Sequence, residues 1–370
     1  MLPTLLSPDC LEACFSADYA EAYSRFRHAC DRHEHSRYTE FVYREKGPAN
    51  EKLVTAVCWL GKPNARQILV LQSATHGVEG FAGSAIQIDC LDWLFESKLD
   101  DDLAILFIHA LNPYGFAWLR RVNESGIDLN RNFIDFNKPL PVNTAYAELA
   151  DALLPAKQTD IAVANEHLQS LRNAWGQVAF EQVVTAGQYA FADGLFYGGP
   201  APSQSRLYLE QIIAEFKLTT CQRVAVIDIH TGLGPFGYGE LICDHPPGSL
   251  AVIWAKQVYG QSVTEPALGN SSSGPKQGLV DYAWQASLDE RVCFITLELG
   301  TYPVEQMFEV LRQDHMLHRQ PFKWNDAQVQ KVKQALRKHF YPAAADWQEM
   351  ILLRGRQVIR QAMQGLLEVT

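Results

Sequence analysis

The stretch Gln67-Ile-Leu-Val-Leu-Gln-Ser-Ala-Thr-His-Gly-Val-Glu-Gly80 joins an apolar run to a histidine and a carboxylate three residues apart. The run Gln67–Leu71 is typical of a buried strand, so His76 and Glu79 should follow its C-terminal end. Open α/β sheets bind their ligands at that end of the strands. An imidazole and a carboxylate at short spacing also supply two of the three protein ligands of a catalytic zinc site. Because the H-x-x-E spacing alone is common by chance, the rest of the chain has to support this interpretation.

The composition is that of a globular protein with a large core: of 370 residues, 47% are hydrophobic and 20% are charged. The formal net charge of −10 argues against a nucleic-acid binder, which normally presents a basic face. The eight cysteines form no C-x-x-C pair, and we predict buried free thiols in a reducing compartment. The N-terminal residues do not resemble a signal peptide, and no apolar run is long enough to span a bilayer. We therefore expect a cytoplasmic protein that binds neither nucleic acid nor membrane.

Apolar runs that alternate with helical patterns indicate an α/β fold. A helical pattern over Phe81–Phe95 separates two predicted strands and implies that these strands pair in parallel through a right-handed crossover. Residues 10–32 and 161–186 are each predicted to be helical, the latter within a helical insertion at about 139–220. Two or three helices should follow the last strand, and we interpret residues 1–370 as a single domain. The predicted strands are Leu53–Leu60, Gln67–Ser73, Leu103–Ala110, Arg223–Ile229, Glu240–Cys243 and Arg291–Leu297.

A second histidine, His230, also stands at a strand end, directly after the predicted strand Arg223–Ile229 and before a glycine-rich turn. Two histidines at adjacent strand ends can converge on one ion. With His76 and Glu79 already in view, we predict that His230 is the third metal ligand. Six other histidines stand in polar or helix-end contexts and are interpreted as surface residues: His28, His33, His35, His315, His318 and His339.

Three arginines, Arg120, Arg121 and Arg131, lie beside turns in the segment that follows the third predicted strand. The rigid fork of a guanidinium group suits a carboxylate, which it binds through two parallel hydrogen bonds. The alternative is structural: Arg120 and Arg121 would be solvated, and Arg131 would pair with an acid of the protein.

Glu298 interrupts the apolar strand Phe294-Ile-Thr-Leu-Glu-Leu-Gly300. A carboxylate in such a run must be exposed at an edge, paired or functional, because burying it unpaired is costly. Beside a metal site, it could act as the general base of a hydrolytic reaction.

Together these segments resemble the zinc carboxypeptidase superfamily, the carboxypeptidase A-like metallopeptidases, and within it a branch near the succinylglutamate desuccinylase and aspartoacylase group. The resemblance spans about residues 76–300 and rests on four motifs in the family's order: His76/Glu79, Arg121 with Asp128-Leu-Asn-Arg131, His230 and Glu298. It implies a three-layer α/β/α fold with a central mixed, mostly parallel sheet, to which this chain adds a helical insertion and C-terminal helices.

The resemblance also implies a metal centre and a base. His76, Glu79 and His230 would hold one Zn²⁺ ion with a position left open for water. Glu298 would accept the proton of that water and later deliver it to the leaving amine.

The arginine segment would bind the substrate. By resemblance, Arg121 polarises the scissile carbonyl and stabilises the oxyanion, while Asn130 and Arg131 hold the free carboxylate of the substrate. Asp128 resembles the acid that orients a ligating histidine, here His76.

The chain departs from the family at the substrate end. Carboxypeptidases carry a mobile tyrosine before the last core strand, whereas this chain has Asn270-Ser-Ser-Ser-Gly274 at the matching spacing. Tyr238 and Tyr282 are nearby substitutes at best. Asp281 lies near the region that lines the specificity pocket in relatives and could favour a basic side chain, and the insertion at 139–220 could form part of the pocket rim.

These observations favour a zinc-dependent hydrolase that cleaves an amide bond next to a free carboxylate. Its substrate would be a small peptide or an acylated amino acid, so a carboxypeptidase-type metallopeptidase and an N-acyl-amino-acid deacylase both stay open. A non-catalytic, metal-structured binding protein is an alternative of another class. A serine esterase has little support, because the chain has no G-x-S-x-G motif. The sequence is compatible with a homo-oligomer.

Overall fold

A seven-stranded sheet forms the centre of the molecule. The computed structural model describes residues 6–95 and 97–368. In chain order the strands are β1 (Arg37–Lys46), β2 (Lys52–Gly61), β3 (Gln67–Ser73), β4 (Leu103–His109), β5 (Arg223–Gly232), β6 (Gly239–Ile242) and β7 (Val292–Gly300). Their order across the sheet is β1-β2-β4-β3-β5-β7-β6.

The middle of this sheet is parallel. β3 pairs in parallel with β4 on one side and with β5 on the other, and β5 pairs in parallel with β7. The outer pairings, β1 with β2, β2 with β4 and β6 with β7, are antiparallel. The parallel pairing predicted for β3 and β4 is thus confirmed. As a consequence, the C-terminal ends of β3, β5 and β7 lie side by side.

Helices cover both faces of the sheet. Those before the fourth strand are α1 (Pro8–Cys14), α2 (Tyr19–Asp31) and α3 (Gly80–Leu94). Those between the fourth and fifth strands are α4 (Pro113–Ala117), α5 (Tyr146–Leu153), α6 (Ile161–Trp175), α7 (Gln177–Thr185) and α8 (Gln204–Glu215). The remaining ones are α9 (Leu250–Tyr259), α10 (Asp281–Leu288), α11 (Val304–His318), α12 (Ala327–Phe340) and α13 (Ala345–Leu367).

The helices pack in a three-layer α/β/α arrangement, which confirms the predicted fold class. α3, α9 and α13 share one apolar cluster with the first face of the sheet, and α1 and α2 pack outside α3. α8 and α10 share a second cluster with the opposite face. All side chains of β3 and β4 are therefore buried, as expected of strands that are covered on both faces.

The predicted insertion divides into two parts. α5, α6 and α7 form a third apolar cluster with α11 and α12 instead of packing on the sheet. Val78, which lies between the two metal-site residues that follow β3, belongs to this cluster as well. α8, by contrast, packs on the sheet. The insertion therefore reaches the C-terminal end of β3.

The structure corrects several of the predicted helices and strands. The helix predicted over residues 10–32 is two helices, because Asp18 caps a new helix by accepting a hydrogen bond from the Glu21 N–H. The helix predicted over 161–186 breaks at Gly176, whose φ of 84° lies in the left-handed region. β5 and β7 each run three residues past their predicted ends, to Gly232 and Gly300, and β1 was not predicted.

The cysteines and the helices bear on two further expectations. All eight cysteines fall within the described residues; they are free, and all except Cys10 are buried. Across the same residues, no helix has both the length and the apolar character needed to cross a bilayer.

Candidate metal centre and substrate pocket

Three candidate metal ligands meet at the C-terminal ends of β3 and β5. β3 ends at Ser73, His76 follows, and a short 3₁₀ helix over Gly77–Glu79 turns the Glu79 side chain toward the same point. His230 lies near the end of β5. All three ligands are buried, with exposed fractions of 3%, 1% and 2% for His76, Glu79 and His230.

The donor atoms of these residues are close enough to share one ion. His76 Nδ1 lies 3.0 Å from Glu79 Oε1, and His230 Nδ1 lies 3.1 Å from both His76 Nδ1 and Glu79 Oε2. One donor atom from each residue lies within 4.8 Å of the other two. Two imidazoles and one carboxylate are a donor set that Zn²⁺ takes in catalytic sites, where a fourth position stays open. The residues therefore fit one Zn²⁺ ion.

The Nε2 atom of each histidine, which faces away from the candidate metal site, lies within hydrogen-bond distance of an aspartate. His76 Nε2 lies 3.0 Å from Asp128 Oδ1, and His230 Nε2 lies 2.7 Å from Asp228 Oδ2. Because a carboxylate only accepts hydrogen bonds, the Nε2–H of His230 donates to Asp228, and the Nδ1 lone pair of His230 points toward the centre. His76 Nε2 also lies 2.8 Å from Arg121 Nη2, and His76 Nδ1 faces the same centre. The sequence predicted Asp128 for this contact but missed Asp228, which Thr75 Oγ1 also contacts at 2.9 Å.

The electrostatics also suit a cation. Burial raises the pKa of Glu79, but the neighbouring His76, His230 and Arg121 outweigh burial and lower that pKa below its usual range. Among the described residues, Arg121 is the one guanidinium or ammonium group in ion-pair contact with any of the three carboxylates of Glu79, Asp128 and Asp228. Three buried carboxylates thus face a single positive side chain, and a divalent cation would balance the excess negative charge.

A close contact between two backbone segments holds the metal loop, residues 76–79, in place. A Cβ atom on Gly77 would lie 2.1 Å from the carbonyl carbon of Gly115, so only glycine fits directly after His76. The N–H groups of Gly77 and Val78 donate to the carbonyls of Arg121 and Arg120 at 3.1 and 2.8 Å. The same segment therefore positions both the metal loop and the Arg121 side chain.

Arg121 reaches the metal centre itself. Its Nη1 donates to Glu79 Oε1 at 2.9 Å and its Nε donates to Asp128 Oδ2 at 3.3 Å. Its guanidinium group also lines the cavity beside the metal centre. A fixed positive group in this position can stabilise negative charge that develops on a bound carbonyl.

Glu298 stands opposite His230 in the parallel register of β5 and β7. It is 8% exposed, and its Oε1 accepts a hydrogen bond from the Leu233 N–H at 2.9 Å. Burial, and next the negative charge of Glu79, raises the pKa of Glu298 to about 7. A carboxyl group of this kind beside a metal centre can take up and return a proton near neutral pH.

A cavity of about 440 Å³ opens from the metal centre, a volume suited to a small ligand. The three candidate metal ligands line it together with Glu298, and so do the three residues predicted to act on the substrate: Arg121, Asn130 and Arg131. Further wall residues come from α7 of the insertion, at Val178, Glu181, Gln182 and Thr185, and from α11, at Val304, Met307 and Phe308. The insertion thus forms part of the pocket wall.

Arg131 has no acidic partner within ion-pair distance among the described residues. It is 1% exposed, and its guanidinium donates to the carbonyls of Thr185 and Asn130. Burial lowers the pKa of Arg131, and the nearby Asp128 carboxylate opposes that shift. A buried guanidinium with only backbone carbonyls as partners is suited to an anionic ligand.

Neither of the two suggested tyrosines, Tyr238 and Tyr282, nor Asp281 contributes to the wall of the cavity. No tyrosine of the described residues lines the cavity; Tyr282 instead donates to the Lys276 carbonyl at 3.2 Å. Asp281 is also outside the lining, and its Oδ2 accepts a hydrogen bond from Gln285 Nε2 at 2.7 Å, whereas Asp244 and Lys276 line the cavity. No local motif in the sequence indicated either residue.

Two of the histidines interpreted as surface residues are buried, so that interpretation is wrong for them. His315 is 6% exposed and lies near Arg120 and Asp314, and His339 is 3% exposed. The helices that carry them, α11 and α12, pack against each other. Polar neighbours in sequence therefore did not mean exposure.

Comparison with known proteins agrees with this fold. A family model described as "Protein of unknown function (DUF2817)" matches residues 15–354. The chain is similar in structure to thrombin activatable fibrinolysis inhibitor, with a TM-score of 0.53 at 12% identity over 99% of this chain and 79% of that one. It is also similar to carboxypeptidase A from Helicoverpa armigera, with a TM-score of 0.47 at 16% identity over 94% and 73% of the two chains. A further similar structure is murein-tripeptide amidase MpaA from Escherichia coli O157, with a TM-score of 0.36 at 15% identity over 87% and 100%.

None of the curated proteins compared with the chain matches it. At these low identities the similar structures bear on the fold alone. They agree with the three-layer α/β/α fold that the resemblance implied.

Proposed function

This chain belongs to the DUF2817 family of proteins of unknown function, and we propose that it is a zinc-dependent hydrolase that cleaves an amide bond next to a free carboxylate. The observation that carries the proposal is the meeting of His76, Glu79 and His230 at one point, with Glu298 opposite His230 in the sheet register. A binding protein would need the metal ligands but would have no use for a buried carboxyl group beside them.

His76, Glu79 and His230 would hold a metal ion that supplies Lewis acidity. When bound, Zn²⁺ would act as a Lewis acid and lower the pKa of a water molecule toward neutrality. The protein's part is to hold the donors: Asp128 and Asp228 fix His76 and His230 so that both Nδ1 atoms face the same point.

Glu298 would act first as a general base and then as a general acid. Its carboxylate would accept a proton from the attacking water and return it to the nitrogen of the leaving amine. The Leu233 N–H that donates to Glu298 Oε1 holds the carboxyl group in place during both transfers.

Three side chains would position the substrate. Arg121 would stabilise the negative charge that develops on the carbonyl oxygen of the scissile amide. Asn130 and Arg131 would bind the free carboxylate and so fix which amide bond reaches the metal centre. Because both residues line the cavity, we favour a carboxypeptidase-type metallopeptidase that acts on a short peptide.

Metal dependence and base catalysis can be tested together. A chelator should abolish cleavage of N-acyl dipeptides and Zn²⁺ should restore it. Glu298→Gln should lose at least about 100-fold in kcat while keeping its zinc, since general-base catalysis typically contributes about 10²–10⁴-fold. Glu290→Gln, at an exposed position remote from the cavity, is the matched control and should keep full activity. Retained turnover in Glu298→Gln would refute the proposed mechanism.

The carboxylate preference needs a second comparison, between peptides with a free C-terminal carboxylate and their amides. Arg131→Lys keeps the charge but loses the fork, and kcat/KM for the free carboxylate should fall by roughly 10- to 100-fold. The amide should be affected less. An unchanged preference would remove Arg131 from the mechanism.

A further inference from the structure

Lys276 is a cation of the pocket that the sequence motifs do not account for. It lies in the loop between Gly269 and Val280 and lines the cavity beside Arg131. Its Nζ donates to Gly274 O at 2.9 Å and to Ser273 Oγ. An ammonium group has three donors, so one N–H of Lys276 is left without a protein partner among the described residues.

The loop that carries Lys276 is fastened from several sides. Gln182 of the insertion donates to Pro275 O at 2.7 Å, and Tyr282 Oη donates to Lys276 O at 3.2 Å. The Val280 N–H donates to Asn130 Oδ1 at 2.8 Å. These contacts hold the loop against the segment that carries the predicted carboxylate-binding residues.

Gly278 brings the two backbones into direct contact. A Cβ atom on Gly278 would lie 2.3 Å from Arg131 O, and its φ of 74° is in the left-handed region. The Phe133 N–H donates to Gly278 O at 3.1 Å. The position of Lys276 relative to Arg131 is therefore set by backbone packing and does not depend on the conformation of a free loop.

The charges at this end of the pocket are incomplete. Neither Lys276 nor Arg131 has a carboxylate within ion-pair distance among the described residues. Arg131 uses three of its five N–H donors on backbone carbonyls, which leaves two. Burial and, next, the positive charge of Arg131 lower the pKa of Lys276 to about 8. Asp244 lines the same region, and its negative charge opposes this shift. Two cations with free donors thus face one acid that contacts neither.

We propose that Lys276 is a second carboxylate-binding residue, which shares the free carboxylate of the substrate with Arg131. The inference rests on the proposed function and narrows its substrate class to molecules whose terminal carboxylate enters this end of the cavity. A carboxylate has two acceptor oxygens and carries one negative charge, so it satisfies the free donors of both cations and balances the local charge. Lys276 stands on the loop where the family that the sequence resembles places a tyrosine.

Binding to an inactive protein tests this without relying on turnover. The zinc-loaded Glu298→Gln protein is titrated calorimetrically with N-acetyl dipeptides that end in Ala, Phe, Glu or Lys, and with their C-terminal amides. In the parent the free carboxylates should bind more tightly than the amides. Adding Lys276→Met should weaken the carboxylates by roughly 10- to 100-fold and the amides less, whereas Lys276→Arg should retain most of the preference.

Two further variants sharpen the result. Lys138→Met removes one exposed lysine far from the charge cluster and should leave both affinities unchanged. Asp244→Asn removes the acid beside the two cations and should tighten the binding of the free carboxylates; weaker binding would instead indicate a site for a cationic group and overturn the proposal.

The preference should also depend on pH. Arg131, Arg121, Asp244 and Glu298 are the charged groups that face Lys276, and replacing Glu298 lowers the pKa of Lys276 further. In the Glu298→Gln protein the ratio of carboxylate to amide affinity should therefore already fall as the pH rises toward 8, while in Lys276→Arg it should stay constant, because a guanidinium keeps its charge.

The two proposals fail in different ways. An unchanged carboxylate-to-amide ratio in Lys276→Met, or no preference in the parent, would overturn the role of Lys276 even if the active protein hydrolyses peptides. The proposed function fails separately, if the zinc-loaded wild-type protein does not cleave amides or if Glu298→Gln still does.

Discussion

Replacing Asp228 with asparagine probes the least anticipated part of the metal centre. His230 Nε2 donates to Asp228 Oδ2 at 2.7 Å, and the carboxylate is fully buried. The amide of Asp228→Asn keeps the shape and one acceptor but loses the charge. A hydrogen bond to a charged group contributes about 1.5–3 kcal/mol, and a neutral one contributes about 0.5–1.5 kcal/mol. The difference of about 1–1.5 kcal/mol corresponds to a zinc affinity roughly 10-fold weaker.

This affinity can be measured by competition with a chromophoric zinc chelator at fixed pH and ionic strength. Asp228→Ala, which removes the hydrogen bond altogether, should approach the upper end of the roughly 10- to 100-fold loss seen when such partners are removed. Asp31→Asn, in an exposed ion pair with Arg27, is the control and should bind zinc like the wild-type protein. Zinc binding by Asp228→Asn within twofold of the wild type would refute the idea that Asp228 holds His230 in its ligating orientation.

Three further outcomes concern the scaffold around the pocket. Asp314→Asn leaves the buried cations of Arg120 and Lys333, which contact Asp314 at 2.9 and 2.5 Å, without their acid, and should cost about 3–5 kcal/mol in urea unfolding. Burial raises the pKa of Asp314, but the charges of Lys333 and Arg120 outweigh burial and lower that pKa below its usual value. The wild-type protein should therefore lose stability as the pH falls below about 4, and Asp314→Asn should lose less stability over the same range. In thermal unfolding, Gly278→Ala should destabilise the protein more than Gly248→Ala. The two glycines have similar φ angles of 74° and 77°, but only at Gly278 would the added Cβ atom meet backbone atoms within 4 Å.

The buried strands could be predicted from sequence, and the exposed edge could not. β3, β4 and β5 are apolar runs because both of their faces are covered, so their positions and parallel pairing followed from the sequence. β1 is an edge strand in which buried Phe41 and Tyr43 alternate with exposed Val42 and Arg44, and Glu40 lies on the same face as Arg44. Charged residues on the exposed face of an edge strand dilute the apolar signal, and no strand was predicted there.

The site was predictable where its residues form motifs and unpredictable where they depend on tertiary packing. His76, Glu79 and His230 could be found because each lies at or shortly after the C-terminal end of an apolar strand. Asp228 could have been found as well, since side chains two residues apart in a strand point to the same face. Lys276 could not, because its position depends on contacts with residues that are remote in the sequence, such as Gln182.

The most direct test of the metal centre is the zinc content of the purified protein, measured by mass spectrometry after dialysis against a metal-free buffer. We expect one zinc ion per chain in the wild-type protein, and much less than one in His76→Ala and in His230→Ala, while both variants keep the circular dichroism of the fold. A wild-type protein that binds no zinc, or a His230→Ala protein that retains a full equivalent, would contradict the assignment of these residues as ligands.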